Sequence, residues 1–225
     1  DDPVGGIVVV AGNARLTQVE ANDNCGSGIY CGAGDVSTEA SATLTGNTQF
    51  GIWCPTDEVI LASGNALHTI SMNGKDGIFA AIGPVFVGGK AVLKGNGRLQ
   101  PDECVAGKVG AISTGGEVIA HDLLIEENCG SGIRAAGVQA GILGGGVRLI
   151  MNSQFGILAN DEAGVMLFGD EHQILRNGLD GIYAPNAPVR IEGKAFIVGN
   201  NRSLTPQDCD QDPPSRGGIC SGDRI

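Results

Sequence analysis

Large side chains and charge are both scarce in this sequence. Of 225 residues only nine are aromatic, six Phe, two Tyr and one Trp, and only 17% are charged, against roughly 25% in an average domain. There is no basic run, and the net charge is −11, which argues against nucleic acid or an anionic membrane surface as partner. No apolar run approaches the roughly 18 residues of a membrane span, so no membrane insertion is expected. Hydrophobic residues nevertheless make up 42%, too many for a disordered chain. Glycine is abundant, at 38 residues, but lacks the G-X-Y period of collagen.

What is present is a repeat. The dipeptide Gly-Ile recurs with its isoleucines at 7, 29, 52, 78, 133, 157, 182 and 219, and Ala111-Ile112 fills the one gap. Asn24, Asn47, Asn73, Asn128, Asn152 and Asn177 each stand five residues before such an isoleucine. Asn96 and Asn200 follow an aliphatic by three residues, as all of these but Asn24 do. A longer period overlies this one: Asn24-Cys25-Gly26-Ser27-Gly28-Ile29 returns word for word at 128–133, and Gln49-Phe50-Gly51-Ile52 returns at 154–157. The chain therefore reads as one domain built from a duplicated four-repeat unit: 1–109, 110–217, and the start of a third at 218–225.

Each short repeat alternates Val, Ile and Thr runs with Gly, Asn and Asp clusters, with no helical period. A strand unit of this length cannot bury its face alone, but stacked coils can. An Asn at one coil position can stack its amide on the Asn above and below. The Gly before each Ile suits a corner where φ is positive or where a Cβ would clash. The recurring Asn-x-x-x-Gly-Ile pattern resembles the right-handed parallel β-helix repeat of the pectin-lyase-like superfamily. The resemblance implies an all-β solenoid of about nine coils, a rod ~40 Å long. It implies no single activity, because that superfamily spans lyases, hydrolases, epimerases and non-catalytic surface proteins.

With the isoleucines inward, alternation turns the next residue outward and the one after it inward. The inward set includes Cys31, Cys54, Ala80, Ala135, Ala159 and Ala184, all small. The outward set includes Tyr30, Trp53, Phe79 and Tyr183, four of the nine aromatics. Tyr30, Trp53 and Phe79 fall on consecutive coils and are the candidate binding residues, a flat stacking surface for sugar rings or a partner's apolar side chains.

Two insertions, near 97–110 and 201–217, repeat Leu-Pro-Cys in the same order. Cys104 lies one coil before Cys129, which makes Cys104–Cys129 the expected disulfide, with Cys209–Cys220 as the second. Cys31 and Cys54 share one inward position and can either bond or remain buried thiols. Cys25 is then left free, or meets a cysteine of another copy in a head-to-tail stack. This usage suits a secreted or cell-surface protein.

Catalytic candidates are sparse. Polysaccharide lyases of the resembling superfamily use a Lys or Arg base with Ca²⁺ or a basic clamp. Here Asp76, Lys90, Lys94 and Arg98 are the candidates. The paired carboxylates Asp57-Glu58 and Asp161-Glu162 occupy matching turns and offer oxygen ligands for Ca²⁺, the one cofactor considered. His68 and His172 are duplicates and read as corner residues. The favoured expectation is a non-catalytic structural or adhesive module. It would bind extracellular carbohydrate or a protein, and copies would stack end to end. A lyase or epimerase acting on acidic polysaccharide is the alternative.

Overall fold

The computed structural model describes residues 5–61, 64–98, 109–136, 139–144, 146–159, 164–201 and 218–221. The β-branched and aliphatic runs form short strands, and every pairing between them is parallel. The chain winds as a three-sided parallel β-solenoid. The first face is a nine-stranded sheet running from Gly5–Val9 to Ile219–Ser221. The second and third faces carry the other strands. They merge into one 14-stranded sheet because Gly164–Leu175 and Val189–Val198 run round the corner between them.

The described chain makes about seven turns, fewer than the nine coils expected from the Gly-Ile count. Strand Ile219–Ser221 only opens a turn, and the path to it runs through residues outside the described set.

The interior is three stacked rows. On the first face Ile29, Ile52, Ile78, Ile112, Ile133, Ile157 and Ile182 pair in register and are buried. Val36, Val59, Val85 and Val118 form the second row. Leu44, Ile70, Leu93, Ile125, Leu149, Ile174 and Ile197 form the third. The small residues two positions beyond each isoleucine, from Cys31 to Ala184, are buried where the coil narrows.

The asparagines form a continuous ladder at the corner between the third and first faces. From Asn24 to Asn200, each Nδ2 donates to the next Oδ1 at 2.8–3.1 Å. From Asn47 onward each Nδ2 also donates to a backbone carbonyl, such as Ile70 O from Asn96. The residue before every ladder Asn takes a positive φ: Asp23, Gly46, Met72, Gly95, Glu127, Met151, Arg176 and Gly199. The left-handed corner thus sits there and not at the Gly of Gly-Ile. That Gly is required by close approach: a Cβ at Gly51 would lie 2.5 Å from Gly77 O and 3.0 Å from Asn73 Nδ2.

Candidate functional site

The outward column of the first face is in register. Tyr30 pairs with Trp53, Trp53 with Phe79, Phe79 with Ser113, and Ser113 with Arg134. Arg134 is followed by Leu158 and Tyr183. Tyr30 and Trp53 meet edge to face with centroids 4.7 Å apart. Phe50, from the turn before Ile52, lies beside the column, 5.8 Å from Trp53 and 5.3 Å from Phe79. Lys75 Nζ stands 5.1 Å from the Phe50 ring centroid. The rings are half-buried, and Phe50 itself is only 9% exposed. The result is a packed aromatic ledge of four rings, not three free-standing ones. Its weaker twin in the second half pairs Phe155 with Tyr183 at 5.0 Å.

Alternation alone could not reveal Phe50, which lies in the turn and not on a strand. Its one signal in the sequence was the Gln-Phe-Gly-Ile motif shared by residues 49–52 and 154–157.

Below Phe79 the column becomes polar. Ser113 is buried there, and its Oγ donates to Asp76 Oδ1 at 2.9 Å. The Gly110 N–H donates to the same oxygen. Asp76 is 3% exposed, and burial pushes its carboxyl up to about 6, against the pull of these two donors and of the Arg134 guanidinium. Arg134 Nε is buried without a hydrogen bond. Asp76, expected beside a basic catalytic group, is instead an anchor. It ties the return from the first insertion to the turn before Ile78.

The basic candidates do not join it. Lys90 and Lys94 are on the strand Lys90–Lys94 of the third face. Lys94 Nζ is engaged by Glu126 at 2.7 Å and Glu127 at 3.3 Å, and Glu126 before Glu127 holds its ammonium above the ordinary value. Arg98 is exposed at the corner beyond Asn96. The strand geometry separates these side chains because a four-residue spacing puts both lysines on one outer surface of a different sheet.

Asp57 is already occupied. It accepts from Thr56 Oγ1 at 2.6 Å and the Gly34 N–H at 2.8 Å, and these bonds hold its carboxyl below the ordinary value. Burial, then Asp35, raises Glu58. Asp161 and Glu162 lie outside the described residues. Among the described residues no group of three or more His, Cys, Asp or Glu side chains converges as metal ligands.

Cys31 and Cys54 are free, stacked, buried thiols, not a disulfide. Both donate to Gly34 O, at 2.7 and 3.3 Å. Cys220 is also free, which corrects the expected Cys209–Cys220 link; Cys209 lies outside the described residues. Cys25 is free and exposed. Cys129 is not among the free thiols, and its expected partner Cys104 lies outside the described residues. His68 and His172 are buried in the coil, with His172 Nε2 3.1 Å from Phe168 O.

Comparison with protein-family models, curated proteins and solved structures finds no match.

Proposed function

We propose that the chain is a non-catalytic secreted or cell-surface β-helix module of the pectin-lyase-like kind. It binds carbohydrate on the ledge formed by Tyr30, Trp53 and Phe79, with the buried Phe50 ring packed behind them. The observation that carries this reading is four mutually packed rings on one outer face, in a chain with only nine aromatics. Rings locked by their neighbours lose little freedom on binding, and flat apolar faces match the C–H faces of sugars. Lys75 beside Phe50 adds one donor at the rim.

The lyase or epimerase reading is less well supported. It needs a base and a second cation to neutralise a bound uronate. Lys94 is paired with two glutamates and Lys90 lies on another face, which leaves Lys75, set against the Phe50 ring, as the cation beside the ledge. One further part of the reading rests on a separate feature: Cys129 is disulfide-bonded, with Cys104 its expected partner, which supports the oxidising compartment.

The test is a glycan array probed with the protein and with Trp53→Ala, run beside an assay for unsaturated products from uronate polymers. Glycan binding lost in Trp53→Ala, with no product formed, is the expected outcome. Product formation that depends on Lys90 would reverse the choice, and a silent array would refute carbohydrate binding on the ledge.

A further inference from the structure

The third face carries a groove of about 440 Å³ that the aromatic ledge does not use. Its floor lies on the last two described strands of that face, Gly164–Leu175 and Val189–Val198. Gln173 pairs in register with Phe196, and Leu175 with Val198, so four outward side chains form one block across two coils. Arg176 lines the groove at the corner, its stem lying beside Gly199. Phe196 is 55% exposed and Val198 60%. The other eight aromatics of the chain are buried or half-buried, so Phe196 is the one ring left open to solvent.

The solenoid does not require these residue types. The matching coil positions of the first unit place Ser71, Val92 and Lys94 where the second unit places Leu175, Phe196 and Val198. The corner position that holds Arg176 is Met72 in the first unit, with the same positive φ. Among the described residues Arg176 makes no ion pair. Neither does Arg148, which is exposed and pairs in register with Gln173 one coil earlier. No described carboxylate lines the groove. In a chain of net charge −11, an apolar floor is thus flanked by two uncommitted cations.

We propose that this groove binds a small amphipathic anion, a carboxylate carried on a hydrocarbon body. Its volume falls within the roughly 300–1,000 Å³ of small-molecule sites. Leu175, Phe196 and Val198 lose water-exposed apolar surface beneath the hydrocarbon. Arg176 takes the carboxylate through two parallel charge-assisted hydrogen bonds, a geometry that its planar guanidinium favours. Gln173 adds an amide donor at the same floor. A sugar fits less well, because one amide and one guanidinium are few partners for its hydroxyls. A neutral or cationic amphiphile leaves the arginine without a counter-charge. The site is independent of the carbohydrate reading, since it lies on the other sheet and shares no residue with the ledge.

Titration of the full chain with octanoate, followed through its amide NMR shifts, tests this, with octanol and octylammonium as controls. Saturable shifts centred on Gln173–Arg176 and Phe196–Gly199 are expected with octanoate, and weaker binding of both controls. Arg176→Met introduces the residue that the first unit holds at this corner, so the fold accepts it. It should weaken octanoate at least about tenfold and leave octanol unchanged. Phe196→Thr, at an exposed position whose outer row carries Thr43 and Thr69, should weaken octanoate and octanol alike. No saturable shift at these residues, octanol or octylammonium bound as tightly as octanoate, or octanoate binding indifferent to Arg176→Met would each overturn the proposal.

Discussion

Replacing Asp76 by Asn should stabilise the protein at neutral and alkaline pH while leaving it nearly unchanged in acid. The carboxyl titrates at about 6 in the fold, raised from 3.8, with burial the largest cause. Below 3.8 it is protonated whether the chain is folded or not, and it costs nothing. Between these values the unfolded chain releases the proton and the folded chain keeps it, so stability falls as pH rises. Above about 6 the loss is complete. At roughly 1.4 kcal/mol per pH unit it amounts to about 3 kcal/mol. Asn keeps the oxygen that accepts from Gly110 N–H and Ser113 Oγ but carries no charge, so it escapes this loss. The gain falls somewhat short of the full figure, because the amide cannot reproduce the attraction to Arg134. Urea denaturation from about pH 4 to 8 on both proteins reads the difference directly. Curves that coincide near pH 4 and diverge towards pH 8, with the variant the more stable, are expected. Parallel curves, or a variant weaker at pH 8, would refute the burial argument.

Three further outcomes follow from the same geometry. Asn96→Ala should cost about 3–5 kcal/mol in denaturation, since it strands Asn73 N–H and Nδ2–H in a fully buried corner. Asn24→Ala, at the half-buried end of the ladder, should cost clearly less. Met72→Gly and Met151→Gly should each raise stability by about 0.5–1 kcal/mol, because both side chains are exposed and both residues hold a positive φ. Iodoacetamide at mildly alkaline pH should label exposed Cys25 in the native protein but reach Cys31 and Cys54 only after unfolding. Burial raises both thiols, that of Cys54 to about 12. Comparable native labelling rates, followed by peptide mapping, would contradict this.

The repeat made the solenoid readable. A ladder asparagine and an inward isoleucine recur at fixed coil positions, so one register assignment orders every rung and places Tyr30, Trp53 and Phe79 outward. Contacts between coils were not readable in the same way. Asp76 meets Ser113 across 37 residues and an insertion, a distance no local pattern encodes. The left-handed corner was hidden because only three of its eight positions carry Gly; the others hold Asp, Met, Glu and Arg, held there by the ladder bonds. Cys31 and Cys54 sit at the height of one coil from each other, as a disulfide would allow, yet both thiols donate to Gly34 O instead. Lys90, Lys94 and Arg98 are close in sequence, and the three-sided cross-section puts Lys90 and Lys94 on a sheet other than the one that carries the aromatic ledge.

Trp53 is the only tryptophan in the chain and stands in the middle of the ledge, so its fluorescence reports on the proposed site without a label. Titration with soluble oligosaccharides chosen from the array should shift its emission saturably. Phe79→Ala, which removes a neighbouring ring while leaving Trp53 in place, should weaken that response at least about tenfold. Emission that stays unchanged while the same oligosaccharides bind, or a response indifferent to Phe79→Ala, would contradict the placement of carbohydrate on this face.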